Sequence, residues 1–198
     1  ISVDPKLVKA YQARAEVNQL LGHTQAVATD RRRIAVLVPE ESAFSAEAAL
    51  AYLDVDSPAV ARSLAEAALL RDRGSMQALQ AKVRACLKLG DLDCASAAAD
   101  AAVNIKGTTD TYYLHGIVRT ALRDYTTAEA DLDRVLEWNH LYEPAYVAQA
   151  EVQLALAARY TGPTMRTRAL EKAIDKCRLA LELNPQSTDA LFWRSSAY

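Results

Sequence analysis

Residues 76–107 read MQALQAKVRACLKLGDLDCASAAADAAVNIKG, and this stretch decides how the rest of the chain is read. Two runs with helical periodicity, Met76–Leu89 and Leu92–Ile105, meet at a turn formed by Gly90 and Asp91. A lone helical hairpin leaves one apolar face open. Neighbouring hairpins of the same kind must cover it, so a repeated sequence of this type becomes a stacked solenoid.

Placing Gly90 over Gly22 in LLGHTQA and following the small residues outward gives a frame that starts at Val8, Ser42, Met76, Thr109, Glu143 and Thr188. The first four steps are each about 34 residues, and the last is about eleven residues longer. The copies cover residues 8–41, 42–75, 76–108, 109–142 and 143–187, with an insertion near 157–167, and a partial copy follows at 188–198. We therefore expect one array over residues 1–198. Because it starts at Ile1 and stops at Tyr198 inside a helix-like arm, the chain reads as a fragment of a longer one.

Within the frame, the eighth position holds Ala15, Ala49, Val83, Gly116, Ala150 and Ser195, and the twentieth holds Ala61, Ala95 and Ala128. Ala26 and Ala173 supply the twentieth position in copies one and five after local shifts, and Ala68, Ala102, Val135 and Ala180 hold the twenty-seventh. Small side chains at these places let the two arms of a hairpin approach closely. Tyr11, Leu79, Tyr112, Tyr146 and Leu191 fill the fourth position, and only Ser45 breaks that row. Pro39 and Pro185 end copies one and five, where proline cannot continue a helix. Gly107 reads as the residue just past a helix that ends near Ile105. Asp4-Pro5, Asp56-Ser57-Pro58 and Ser187-Thr188-Asp189 read as helix openings.

This pattern resembles the tetratricopeptide repeat family over nearly the whole chain. Copy four carries it most clearly, with Tyr112, Gly116, Asp124-Tyr125, Ala128 and Leu132, and ALELNP at residues 180–185 is similar to the family's repeat ending. Copy two departs from it, with Asp56 where the turn glycine belongs. The resemblance implies an all-α, right-handed α-solenoid of stacked antiparallel helix pairs. It also implies that positions two, five, nine, twelve and thirteen of each first arm face a concave groove. On that basis the expected partner-binding residues are Gln80, Arg84, Lys88, Tyr113, Ile117, Glu151 and Phe192. The family's two-carboxylate clamp, lysine at position five with asparagine at nine, is absent from copies one to five: Gln12 and Glu16, Ala46 and Leu50, Gln80 and Arg84, Tyr113 and Ile117, Val147 and Glu151. Arg84 and Lys88 lie four apart on one helical face and suit a single carboxylate.

The bulk numbers agree with helices and argue against several functions. Hydrophobic residues make up 51% with only 7% aromatic, and charged residues make up 24% with a net charge of -2. Bulk attraction to nucleic acid or to an acidic membrane is not expected, and no apolar run is long enough for insertion into a bilayer. Asp30-Arg31-Arg32-Arg33 is the densest basic run and reads as a solvated outer face. His23, His115 and His140 stand at no metal-ligand spacing, so no metal or other cofactor is expected. Glu129, Asp131 and Asp133 read as the acidic outer side of an amphipathic arm, with no nucleophile motif or phosphate loop beside them, so the chain is not expected to be an enzyme.

Cys86, Cys94 and Cys177 read as core-lining free thiols of a reducing compartment, which tilts the expected location to the cytoplasm. A Cys86–Cys94 disulfide is the alternative for an exported chain. Gly162-Pro163 should stop the first arm of copy five, with longer helices on both sides and a tip bearing Tyr160 and Met165. That tip reads as a tolerated insertion or a contact site.

The expected function is a scaffold that binds a partner peptide or helix of another protein in the groove. The alternative is self-association through the apolar end at Leu191, Phe192 and Trp193. An RNA-reading helical repeat is a weaker third reading, since it needs a basic groove.

Overall fold

The computed structural model describes residues 5–198. Of the helix opening at Asp4-Pro5, Asp4 lies outside the described residues. The chain is all-α: the described residues form eleven helices and no strand. It divides into two compact units, Ile1–Ile105 and Lys106–Tyr198.

The first unit contains α1 (Pro5–Leu20), α2 (Thr24–Leu37), α3 (Ser42–Asp54), α4 (Pro58–Arg71), α5 (Met76–Leu89) and α6 (Leu92–Ile105). Each helix packs on the next, and α3 also packs on α5, so first arms of successive hairpins lie side by side. The core is built mainly of alanine: Ala28, Ala49, Ala61, Ala65, Ala81 and Ala85 are fully buried around Val27, Tyr52 and Leu53. Alanine favours the helix and keeps the helix surfaces close. In copy one Ala28 is the fully buried small residue of α2, whereas Ala26 is only half-buried.

The second unit contains α7 (Thr109–Ala121), α8 (Tyr125–Trp138), α9 (Glu143–Arg159), α10 (Pro163–Leu183) and α11 (Thr188–Ala197). Here too neighbours in sequence pack together, and the first arms α7, α9 and α11 meet in order. Leu132, Val135 and Val152 anchor its core with Ala128, Ala145 and Ala148. Gly116 shows why the eighth position is small: a Cβ there would stand 3.1 Å from Leu132 Cγ, against the α8 surface.

Four hairpin turns are closed by one backbone device. Gly22 (φ 74°), Asp56 (φ 51°), Gly90 (φ 72°) and Arg123 (φ 62°) occupy equivalent places and all adopt the left-handed conformation. At Gly90 the backbone N–H donates to the Leu87 carbonyl at 3.0 Å and that of Asp91 to the Cys86 carbonyl at 2.9 Å, satisfying the end of α5. Copy two therefore keeps the turn without the glycine. α6 ends at Ile105 with Gly107 just past it, as expected, but Gly107 does not take the left-handed conformation, since only Gly22 and Gly90 among the described glycines have positive φ. Its missing side chain makes room for the Tyr112 ring instead, whose Cε2 a Cβ would meet at 2.8 Å.

The free-thiol reading is corrected for two of the three cysteines. Cys86 and Cys94 form a disulfide with their Cα atoms 5.8 Å apart. The physical reason lies in the turn: the two residues stand four before and four after Gly90, and the reversal there brings them face to face across the hairpin. Cys177 is a buried free thiol, and burial pushes its pKa up.

In copy five the extra residues lengthen both arms. α9 has 17 residues and α10 has 21, against 14 in α5 or α8. Residues 161–168 between and within them are exposed, and Met165 is 50% exposed.

Candidate functional site

A cleft of about 680 Å³ lies in the second unit against α7, α9 and α11. On α7, Tyr113 and Ile117 are one turn apart and share a face, as the helical repeat requires. On α9, Val147 and Glu151 repeat that spacing, with Pro144 and Ala148 beside them. α11 adds Asp189, Phe192 and Trp193. Asn184 and Gln186 line the cleft from the link that precedes α11.

Local chemistry fixes this end of the unit. Ser187 Oγ accepts from the Ala190 backbone N–H at 3.3 Å, capping α11, and donates to Glu143 Oε1 at 2.5 Å, tying that cap to the start of α9. The Phe192 and Trp193 rings meet edge to face with centroids 4.8 Å apart, and Tyr113 meets Tyr142 in the same way at 5.3 Å. Such pairs hold aromatic walls in defined orientations.

The cleft is acidic. Glu143, Glu151 and Asp189 line it, and no lysine, arginine or histidine does among the described residues. Glu151 is half-buried and has no hydrogen-bond or ion-pair partner among the described residues. Burial pushes its carboxyl pKa up, and the neighbouring charge of Asp189 pushes it further.

The seven groove residues expected from the sequence fall into two groups. Tyr113, Ile117, Glu151 and Phe192 line this one cleft. Gln80, Arg84 and Lys88 belong to α5 in the first unit, where Gln80 is half-buried and the other two are exposed. Lys88 Nζ donates to Asp56 Oδ1 at 2.7 Å, so the ammonium expected to meet a partner carboxylate is held by the chain's own turn residue. Asp189 and Trp193 were not among the expected groove residues. Asp189 stands at position two of the last copy and was legible there from the frame; Trp193, at position six, carried no such signal.

The expected acidic outer side of α8 holds only in part: Asp133 is exposed and Glu129 half-buried, whereas Asp131 is buried. Asp131 is 7% exposed and lies 2.5 Å from His115 Nδ1. Asp133 accepts from Gln149 Nε2 at 2.6 Å, and Glu129 accepts from Gln153 Nε2. Both glutamines are buried on α9, so the carboxylates form a polar seam between helices. In the first unit Asp30 is 2% exposed and accepts from Arg14 Nε at 2.9 Å and from Arg14 Nη2 at 2.5 Å, a bidentate pair on one guanidinium edge, leaving Arg32 and Arg33 exposed in the basic run. No group of three or more His, Cys, Asp or Glu among the described residues is placed to hold a metal ion. No helix of the described residues is long and apolar enough to cross a membrane.

Comparison with solved structures identifies the fold. The chain superposes on TTC0263, a thermophilic tetratricopeptide repeat protein of Thermus thermophilus, with a TM-score of 0.76 and 18% identity, covering 96% of this chain and 98% of that one. For YrrB, a tetratricopeptide repeat protein with an unusual peptide-binding site, the TM-score is 0.64 and the identity 15%, over 93% and 90% of the two chains. For PilW, a widely conserved type IV pilus biogenesis factor, the values are 0.68 and 14%, over 98% and 93%. No family model matches the sequence, and no curated protein matches it. The chain has the tetratricopeptide-repeat fold.

Proposed function

We propose that this chain is a non-catalytic interaction scaffold whose α7–α9–α11 cleft holds a peptide or helix of a partner protein. One observation carries the reading: a cleft of about 680 Å³ walled by Tyr113, Ile117, Val147, Phe192 and Trp193, with an unpaired carboxylate among them. Aromatic anchors beside polar groups are the composition of a binding surface. Under the same reading Gln80, Arg84 and Lys88 offer a partner contacts on α5 of the first unit. The net charge of -2 favours protein over nucleic acid as partner.

The test is selection of a displayed random peptide library on the purified chain, followed by measurement of the selected peptides on a Phe192→Ala variant. Phe192 is 59% exposed, so its loss leaves the core intact. A loss of binding of tenfold or more supports the cleft. Binding at unchanged strength rejects it.

Self-association through Leu191, Phe192 and Trp193 is the second reading, favoured by the exposure of Leu191 (41%) and Phe192 (59%), with Trp193 half-buried beside them. Sedimentation over a concentration range decides it. As for compartment, the cytoplasmic expectation drew its support from free thiols. The Cys86–Cys94 bond removes that support and suits an oxidising environment.

A further inference from the structure

The charge of the cleft narrows what it can hold. Glu143 is committed to Ser187, which leaves Glu151 and Asp189 as the carboxylates open to a ligand. A carboxylate drawn partly out of water without a cation is an unfavourable arrangement. An incoming cation relieves it, whereas an incoming carboxylate adds a third like charge. The aromatic walls pull in the same direction, because the faces of tyrosine, phenylalanine and tryptophan attract ammonium and guanidinium groups.

The rest of the second unit shows this preference already satisfied by its own chain. Arg134 lies over Tyr112 at 4.8 Å, Arg159 over Tyr125 at 5.5 Å and Lys176 over Tyr146 at 5.9 Å. Arg178 is held by Asp175 and Glu182. Those cations are engaged on other surfaces, and none lines the cleft.

We infer that the cleft accepts a lysine or arginine side chain of a partner peptide, its cation at Glu151 and Asp189 and its stem along Ile117, Val147 and Phe192. This rests on the scaffold reading above and adds the chemistry of the partner: a basic residue set among apolar ones. It is the opposite of the carboxylate-seeking clamp whose lysine and asparagine the sequence lacks. An aliphatic stem against apolar walls with its charge at a carboxylate is the ordinary way such side chains are buried.

A random twelve-residue library displayed on phage, selected on the purified chain, supplies the probes. Selected peptides are then synthesised with the basic residue intact or replaced by norleucine, and titrated against the wild type, Glu151→Gln and Phe192→Ala, each checked by circular dichroism. The expected result is enrichment of lysine or arginine at one position, a loss of tenfold or more on norleucine replacement with the wild type, and a loss under twofold with Glu151→Gln. That non-additivity places the cation at Glu151. Peptides that need Phe192 but show no basic enrichment, or lose equally with Glu151→Gln, overturn the charge assignment and leave the cleft reading standing. Peptides indifferent to Phe192, or a library without binders, overturn both. A concentration-dependent dimer broken by Phe192→Ala makes a second copy the occupant and also overturns the assignment.

Discussion

His115 and Asp131 meet between α7 and α8 with Nδ1 and Oδ2 2.5 Å apart, both residues less than 10% exposed. Arg119 Nε donates to the other ring nitrogen at 3.1 Å, which places the ring proton on Nδ1 and makes Asp131 its acceptor. Removing that acceptor costs the desolvation of the buried donor. Asp131→Ala should lower stability by about 1–3 kcal/mol, measured by urea unfolding.

The left-handed turn residues give a second expectation. Arg123 holds φ 62° without the freedom of glycine. Arg123→Gly should therefore stabilise the second unit by roughly 1 kcal/mol. Asp56→Gly should gain less, because Asp56 also receives Lys88 at 2.7 Å. A pair of thermal melts separates the two.

At Gly116 the expectation runs against helix propensity. Alanine is a better helix former, yet its Cβ would meet Leu132 Cγ at 3.1 Å and Cδ2 at 3.2 Å, and Leu132 is fully buried. Overpacking of about 1–3 kcal/mol outweighs a helix gain near 1 kcal/mol. Gly116→Ala should destabilise, and a Tm at or above the wild-type value would show that Leu132 can move.

The disulfide should be a staple of its hairpin. Closing so short a loop is worth about 2–3 kcal/mol in the chain-entropy account. Cys86→Ala with Cys94→Ala, or reduction, should lower the Tm accordingly. Thiol alkylation should find no reactive cysteine in the native chain, one after unfolding without reductant and three with it.

Glu151 predicts a pH dependence with a definite sign. Its folded pKa is raised by burial and by Asp189, so the folded state binds the proton more tightly than the unfolded chain does. Its stabilising contribution is present below the unfolded carboxylate pKa and is lost as pH rises through the folded value. Glu151→Gln should thus raise stability at neutral pH, with the gain shrinking as pH falls through the raised folded value and gone below the ordinary carboxylate pKa. A gain that persists in acid would assign it to packing instead.

The architecture was legible because repeat packing is written locally. Ala49, Ala61, Ala68, Ala95, Ala128 and Ala180 are fully buried at the positions the frame marks as small, and α3, α5, α7, α9 and α11 begin at Ser42, Met76, Thr109, Glu143 and Thr188. What the frame could not show is which side chain reaches across to another helix. Glu129, Asp131 and Asp133 look alike in sequence, yet each is claimed by a different residue of α7 or α9. The Cys86–Cys94 bond depended on a Cα spacing that the turn sets and composition does not. Tyr113, Ile117, Glu151 and Phe192 could be placed on first arms from their register, but their gathering around one cavity depends on how α7, α9 and α11 meet.

The lengthened arms of copy five provide a ready-made handle. At 1.5 Å per residue, the 21-residue α10 is about 32 Å long, against about 21 Å for a fourteen-residue arm. Met165 is half exposed on its first turns and takes no part in the cleft. A spectroscopic label carried there would ride on a stiff rod rather than a loop, and would report the orientation of a docked partner without occupying the surface that receives it.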